Sequence, residues 1–148
     1  MTDITIRRAR AADKPDWLRM RLLLWTLGTP ESFSADIDEF LLDQTQACIV
    51  AVFADGRVCG FVETGTRKYA DGCETSPVGY IEGWYVDEDL RGQGIGGLLI
   101  RAAEAWAREH GCQEMASDTW LENDASIQAH LALGYHEEER LVHFAKKL

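Results

Sequence analysis

Length, composition and charge already narrow the class of protein. The chain has 148 residues, of which 46% are hydrophobic, and its 25 acidic residues outweigh 15 basic ones to give a formal net charge of −10. This size and composition predict one soluble globular domain over residues 1–148, and the excess of acid argues against nucleic acid as a partner. No apolar run approaches the length of a membrane span, so no membrane partner is expected.

The cysteines and histidines indicate neither a disulfide framework nor a metal site. No two of the four cysteines form a C-x-x-C pair, and the four histidines are scattered along the chain. The first stretch, MTDITIRRARAADKPDW, has basic residues but lacks the apolar core of a secretion signal. We therefore expect free thiols, a cytoplasmic protein and no bound metal.

Hydrophobic periodicity and turn residues predict an α+β protein. Strand-like stretches alternate or are continuously apolar, whereas helical stretches repeat apolar residues every three or four positions. The predicted elements in chain order are a strand at 4–9, a helix that Asp13 caps and that ends near Gly28, a short helix at 34–43, a strand at 47–54, its hairpin partner at 58–67, a strand at 78–86, a helix at 95–110, a strand at 112–120, a helix at 123–133, and one or two strands within 135–148.

A cluster of glycines stands immediately before the long amphipathic helix. The first amides of a helix have no intrahelical partner, and the helix dipole favours negative charge beside them. Glycines let a ligand approach the backbone closely. The loop therefore predicts an anion site suited to phosphate. Its glycines are Gly92, Gly94, Gly96 and Gly97.

The glycine run also fits the dinucleotide pattern G-x-G-x-x-G. In a dinucleotide-binding fold the first glycine stands at the end of a strand, but here the apolar strand ends near Val86 and residues 87–91 intervene. Too few residues follow the loop to complete a doubly wound domain, and no Gly-Lys-Ser/Thr sequence completes a P-loop. The spacing argues against both nucleotide-binding folds.

The pattern R-x-x-G-x-G, which begins at Arg91 and ends at Gly96, resembles the pyrophosphate loop of the GNAT superfamily of N-acetyltransferases. With the order of elements, the resemblance covers essentially the whole chain. It implies the GNAT fold, a mixed and mostly antiparallel sheet that is splayed at its central strands, with helices on both faces. Gly83 lies inside the strand before the loop, where a glycine marks a bulge or a close backbone approach.

The same resemblance implies which residues bind acetyl-CoA. In the family, loop amides hold the diphosphate, the splayed strand edge bonds to pantetheine, and the residue that caps the next helix also reaches pantetheine. Carried over by position, the coenzyme-binding residues are Trp84, Tyr85, Val86, Arg91, Gly92, Gln93, Gly94, Ile95, Gly96, Gly97 and Asn123.

Three further stretches narrow the resemblance. YADGCETSPVGYIEGWYV, GCQEMASDTWLEN and HLALGYHEEER are similar to one branch of the aminoglycoside 6′-N-acetyltransferases. That branch moves acetyl from acetyl-CoA to the 6′-amine of antibiotics such as tobramycin or kanamycin. Acidic stretches at 31–46 and 114–139, which contain no Lys or Arg, suit such a polycationic substrate.

Four residues match positions that contact the acceptor in that branch: Trp25, Tyr69, Asp118 and Glu139. Glu82 is a fifth acceptor candidate by its own position in the strand, with an outward-facing strand carboxylate as the alternative. Glu82 lies mid-strand, where a carboxylate could take the proton of the acceptor ammonium as a general base or only hold the cation. Core packing for Trp25, a loop cap for Asp118 and plain surface for Glu139 remain open as structural interpretations.

A histidine replaces a tyrosine that many GNAT members carry four residues before a Gly-aromatic pair. Here that pair is Gly134-Tyr135 and the residue is His130. In the family the tyrosine protonates the leaving thiolate. Histidine can donate a proton near neutral pH, so His130 is a second catalytic candidate, with an ordinary helix-face histidine as the alternative.

The sequence therefore predicts an acetyl-CoA-dependent enzyme that acetylates the 6′-amine of aminoglycosides by direct attack and so gives antibiotic resistance. The alternatives are a GNAT enzyme that acetylates another polyamine or a protein amine, and a non-catalytic coenzyme A-binding module that serves regulation. Homologous enzymes are often dimers, so we expect a homodimer in which residues 140–148 form an exchanged strand.

Overall fold

The structure is a computed structural model and describes residues 3–148. Each helix and strand is numbered in chain order. The elements are β1 (Ile4–Arg8), α1 (Lys14–Leu24), α2 (Pro30–Leu42), β2 (Gln46–Phe53), β3 (Val58–Arg67), β4 (Val78–Val86), α3 (Ile95–Glu109), β5 (Met115–Ser117) and α4 (Asp124–Ala132), with 3₁₀ turns at Ala11–Asp13 and Glu88–Leu90.

The five strands form one sheet in the order β1-β2-β3-β4-β5. All neighbours are antiparallel except β4 and β5, which are parallel. Strand β5 pairs with β4 only from Gly79 to Ile81, although β4 continues to Val86. The second half of β4 therefore has no strand on this side among residues 3–148, which confirms the predicted splay.

A β-bulge interrupts the pairing of β3 with β4. Glu63 is opposite Gly83, but Thr64 is opposite Ile81, which leaves Glu82 as the extra residue. A bulge bends its strand and re-aims a side chain. Glycine is required next to it, because a Cβ on Gly83 would lie 2.6 Å from the ring of Trp25.

Helices cover both faces of the sheet, as the GNAT fold predicts. On one face α3 buries Leu99, Ala103 and Trp106 against the strands. On the other, α1 and α2 bury a cluster that includes Trp17 and Ile37. Because helices cover both faces, strands β2 and β3 are buried almost throughout, as expected for a sheet covered on two sides.

Four predictions for individual elements were wrong. Helix α1 ends at Leu24 instead of near Gly28, because the backbone is extended at Trp25. Helix α2 begins at Pro30 instead of residue 34, because Pro30 occupies its first turn and Thr29 caps it by accepting a bond from the Ser32 amide at 3.1 Å. Asp13 precedes α1 without a side-chain capping bond, because its carboxylate binds Arg7 and the Arg10 amide instead. Strand β5 has three residues, because it pairs with β4 only up to the splay.

The strands predicted within 135–148 are absent from the structure, where this segment has no regular secondary structure. A strand needs a neighbouring edge for its amides and carbonyls, and the segment pairs with none of the described strands. Leu141, Val142, Phe144 and Leu148 are exposed. No helix in the described part of the chain is long and apolar enough to cross a membrane.

Candidate active site

The glycine loop leads into the N-terminus of α3. Gly92 and Gly94 have φ angles of +81° and +86°, a left-handed conformation that glycine adopts without strain. Gly94 is the N-cap of α3 and has no side chain to bond to the first helical amides. These amides, with the helix dipole, can bind an anion such as a diphosphate.

Two side chains brace this loop against β4. The Nε of Arg91 donates to the carbonyl of Val86 at 2.8 Å, and its guanidinium carbon lies 5.4 Å from the ring centroid of Tyr85. The ring of Trp84 packs beside Gly96, where a Cβ would come within 3.0 Å of it. Arg91 and Trp84 therefore have a structural role in positioning the loop.

Strand β4 presents its free edge immediately before the loop. Trp84, Tyr85 and Val86 pair with β3 on one side and lie beyond the last β5 partner on the other. The Tyr85 side chain is buried against Phe61, so any role of Tyr85 in binding a ligand falls to its backbone.

A cavity of about 360 Å³ opens beside the bulge. It lies between α1, α2 and the middle strands, and Trp25 forms one wall next to Gly83. Its lining is rich in acid, which suits a cationic ligand. The lining residues are Arg21, Trp25, Asp36, Glu39, Phe40, Gln46, Glu63 and Glu82.

The floor of this cavity is a buried ion pair. Arg21 donates from Nε and Nη2 to the two oxygens of Glu63 at 2.6 and 2.7 Å, and Trp17 adds an indole bond at 2.8 Å. Burial alone would lower the pKa of Arg21, but its bonds to Glu63 and Asp36 outweigh this and raise it. The charge of Arg21 is thus permanent and already paired.

The predicted acceptor residues Glu82 and Asp118 lie at two ends of one network. Arg67 binds both oxygens of Glu82, at 3.0 and 2.9 Å, and its guanidinium carbon lies 3.4 Å from the ring centroid of Tyr80. The Tyr80 hydroxyl in turn donates to Asp118. Burial, and then this bond, raise the pKa of Tyr80, so its hydroxyl remains a donor.

Tyr69 and Glu139, the other predicted acceptor residues, form a second group around Asp71. The hydroxyl of Tyr69 donates to Asp71 at 3.0 Å, and a hydrogen bond with Asp71 raises the pKa of the Glu139 carboxyl. Tyr69 is 69% exposed, so its ring is open to a ligand. Ala70 packs against Tyr80 and joins this group to the network.

His130 lies at the splay between β4 and β5. Its ring meets that of Trp84 edge-on, with centroids 5.2 Å apart, and its Nε2 is 2.8 Å from the hydroxyl of Ser117, the last residue of β5. Nδ1 lies 2.7 Å from the carbonyl of Ser126. A carbonyl only accepts, so Nδ1 carries a proton; Nε2 accepts from the Ser117 hydroxyl in the neutral ring and donates to it in the imidazolium.

Asn123 caps α4, because its side-chain oxygen accepts from the Ser126 amide at 3.1 Å. Its side-chain amide nitrogen is not part of that bond. Among residues 3–148 no group of three or more His, Cys, Asp or Glu side chains is arranged to hold a metal ion.

Sequence reasoning missed five residues that organise the site: Arg21, Glu63, Arg67, Tyr80 and Ser117. One signal was available, since Glu63 interrupts an apolar strand and a buried carboxylate requires a partner. The other four residues act through contacts with partners 13 to 42 positions away in the chain, and no local sequence pattern indicates such contacts.

Comparison with known proteins agrees with this geometry. The Acetyltransferase (GNAT) family matches residues 14–135. Aminoglycoside N(6′)-acetyltransferase type 1 of Klebsiella aerogenes is 43% identical over 146 residues, covering 97% of this chain and 96% of its own. The same enzyme of Stenotrophomonas maltophilia is 41% identical over 145 residues, with 97% and 94% covered.

Solved structures give the same result. AAC(6′)-Iy in complex with the bisubstrate analogue CoA-S-monomethyl-acetylneamine has a TM-score of 0.93 and 35% identity, covering 99% of this chain and all of its own. AAC(6′)-Iy in complex with CoA has a TM-score of 0.94 and the same identity, with 100% and 97% covered. The chain therefore belongs to the GNAT acetyltransferase family and, within it, to the aminoglycoside N(6′)-acetyltransferases.

Proposed function

We propose that this protein transfers acetyl from acetyl-CoA to the 6′-amine of aminoglycoside antibiotics by direct attack, without an acyl-enzyme. The observation that carries the proposal is the position of Glu82. Its carboxylate lies on the bulge of β4, at the rim of an acidic cavity. The free edge of the same strand and an anion-binding helix N-terminus follow it. A polycation and a diphosphate ligand thus have neighbouring sites.

Acetyl-CoA is the acetyl donor, as in the rest of the family. The amides that begin α3 and the loop from Arg91 to Gly97 would hold its diphosphate. The edge from Trp84 to Val86 would bond to pantetheine as an added strand does. Asn123 would add its free side-chain amide nitrogen from the start of α4.

The acceptor nitrogen enters as an ammonium and loses two protons, one to Glu82 before the attack and one to solvent as the amide forms, while the leaving thiolate gains one. The 6′ nitrogen attacks the thioester carbonyl, the carbon–sulfur bond breaks, and the sulfur leaves as a thiolate. Strand amides near Trp84 to Val86 would polarise the carbonyl. Glu82 would first hold the ammonium and then take its proton.

His130 would supply the proton for the thiolate through Ser117. The imidazolium passes its Nε2 proton to the Ser117 oxygen while the serine proton moves to sulfur, and the 2.8 Å separation suits such a transfer. Proton transfer through Ser117 leaves the Nδ1 bond to the Ser126 carbonyl in place.

The remaining acceptor residues would bind the rest of the drug. Asp118 offers a carboxylate to a further ammonium group. The rings of Trp25 and Tyr69 suit the apolar faces of the sugars, and Glu139 adds acid at the far rim. Acetylation removes the positive charge of the 6′-amine, which would give antibiotic resistance.

The proposal includes the setting of the enzyme. Residues 1–148 would act as a single acetyltransferase domain in the cytoplasm, where acetyl-CoA is available and the four free cysteines stay reduced. We also propose a homodimer. Residues 140–148 expose several large apolar side chains, including Phe144 at 92%, and an exchanged strand would cover them.

A matched pair of drugs tests the function. Neomycin and paromomycin differ only at the 6′ position, which carries an amine in neomycin and a hydroxyl in paromomycin. Release of free thiol from acetyl-CoA should occur with neomycin and be nearly absent with paromomycin. Equal release with both drugs would mean that another amine is acetylated, and release with neither would contradict the proposal.

A matched pair of glycines tests the coenzyme site. Gly94 and Gly56 both have left-handed φ angles and open space around a Cβ, so each change to Ala strains the backbone by about 1–2 kcal/mol. Only Gly94→Ala should weaken coenzyme A binding, by roughly tenfold or more, in a calorimetric titration. Equal coenzyme affinity in the two variants would place the diphosphate elsewhere.

Light scattering tests the dimer. The mass in solution should be twice that of the chain, and Phe144→Asp should shift it toward the monomer. A wild-type chain that stays monomeric at high concentration would contradict the exchanged strand.

A further inference from the structure

We propose that Arg67 is a specificity-determining residue, a built-in cation that occupies the acceptor-ammonium site on Glu82 and that the substrate must displace. The inference rests on the proposed function and adds to it a competitor within the chain. It assigns a role to a residue that none of the sequence patterns singled out.

The geometry of the pair is that of a cation held on a binding site. Arg67 reaches Glu82 from the end of β3 and donates to both carboxylate oxygens, at 3.0 and 2.9 Å. Because Glu82 is the extra residue of the bulge, its carboxylate stands at the rim of the acidic cavity. An ammonium group that binds Glu82 from the cavity competes with Arg67 for the same two oxygens and the single negative charge they carry.

The Arg67–Glu82 pair is exposed enough to open. The side chains of Arg67 and Glu82 are 44% and 35% exposed, and ion pairs exposed to this degree contribute little because water competes for both partners. Their bond nevertheless raises the pKa of Arg67, so Arg67 remains a full cation while it occupies the site.

Tyr80 keeps Arg67 in place and links it to the second acid. The guanidinium carbon lies over the Tyr80 ring, 3.4 Å from its centroid, and the hydroxyl of the same ring donates to Asp118. A released guanidinium can stay on the ring. Displacement therefore leaves Arg67 close to both acids, where it continues to compete with any bound cation.

The consequence is a preference for polycations. A substrate with several ammonium groups gains contacts at Asp118 and along the acidic rim that offset the displacement of Arg67. A single amine gains only Glu82. Arg67 therefore weakens the binding of every acceptor. The loss is a larger fraction of the binding free energy for a simple amine, which contacts only Glu82, than for a polycation.

The test is a double-mutant cycle on kanamycin binding, measured by calorimetry with coenzyme A present and no acetyl group. Arg67→Gln should tighten kanamycin binding by roughly twofold to fivefold. In a Glu82→Gln background the same change should give no such gain, because the contested carboxylate is gone. Arg57→Gln is the matched control: Arg57 also stacks on a strand aromatic, Phe53, far along the sheet, and its loss should leave affinity unchanged.

Each outcome is decisive. Weaker or unchanged binding by Arg67→Gln, or an equal gain in the Glu82→Gln background, overturns the competition. A gain that Arg57→Gln reproduces would reflect net charge alone and also overturns it. A wild-type protein that binds kanamycin but does not acetylate it would contradict the proposed function and leave this result standing, since the titration involves no acetyl transfer.

Discussion

Two arginine–glutamate pairs each contribute a carboxylate to the lining of the same cavity, and the main difference between the pairs is burial. Arg21 and Glu63 have side chains that are 6% and 1% exposed, whereas Arg67 and Glu82 are 44% and 35% exposed. Both pairs have two N–H donors on two carboxylate oxygens at similar distances. Glu63 and Glu82 even lie side by side across β3 and β4, separated by the bulge.

The difference shows how one sheet holds both a structural carboxylate, Glu63, and a carboxylate that is free to exchange partners, Glu82. Removing one partner of a buried pair leaves an unpaired charge and costs several kcal/mol, so Glu63 cannot exchange Arg21 for a substrate. An exposed pair opens at little cost. The bulge produces the difference, because it turns Glu82 out of the layer in which Glu63 is buried.

The largest expected effect breaks the buried pair. Glu63→Gln should lower the free energy of unfolding by about 3–5 kcal/mol, since Arg21 and the Trp17 indole lose a charged acceptor. Glu82→Gln is the control and should cost about 0–1 kcal/mol. Urea unfolding at neutral pH measures both, and equal costs would mean that burial does not separate the pairs.

The next effect concerns the far end of the exposed network. Asp118→Asn should raise the KM for an aminoglycoside by roughly 10- to 150-fold, the worth of one charge-assisted bond of about 1.5–3 kcal/mol, and leave the KM for acetyl-CoA nearly unchanged. Tyr80→Phe removes the neighbouring donor but keeps the carboxylate, and should have a smaller effect. An equal rise in both KM values would make Asp118 structural.

A third pair, of intermediate exposure, should give a smaller effect. Asp13 accepts two bonds from Arg7, and the side chains are 7% and 23% exposed. Asp13→Asn should cost about 1–2 kcal/mol of folding free energy at pH 7. The loss of unfolding free energy should therefore be largest for Glu63→Gln, intermediate for Asp13→Asn and smallest for Glu82→Gln, which is the order of burial. Any other order would contradict the comparison.

The contribution of Asp13 should also depend on pH. The hydrogen bond from Arg7 lowers the pKa of its carboxyl in the folded protein. The stabilisation is therefore complete above the ordinary aspartate pKa of about 3.9 and is lost as pH falls through the lower folded value. The difference in unfolding free energy between wild type and Asp13→Asn should persist at pH 5 and shrink below about pH 4.

Local patterns predicted the parts of the site that are local. The glycine loop, the strand before it and the helix after it lie where periodicity and glycine spacing place them. Gly83 indicated a bulge, and the structure has one. The end of the first helix and the start of the second were both predicted too late, because Pro30 occupies the first turn of α2.

The rest of the site depends on contacts that one sequence does not encode locally. The partnership of Arg67 with Glu82 requires the register of two strands and the bulge between them. One or two strands were predicted within 135–148 from the local pattern, but a strand exists only where an edge pairs with it, and the segment pairs with none of the described strands.

Turnover by Glu82→Gln tests most directly whether the exposed carboxylate takes the proton of the acceptor amine. The change keeps the shape and removes the basicity. With kanamycin and acetyl-CoA both saturating, kcat should fall by roughly 10²- to 10⁴-fold between pH 6 and pH 9, the usual worth of a positioned base. Wild-type turnover at saturation across this range, with only a raised KM, would show that Glu82 holds the acceptor and takes no proton.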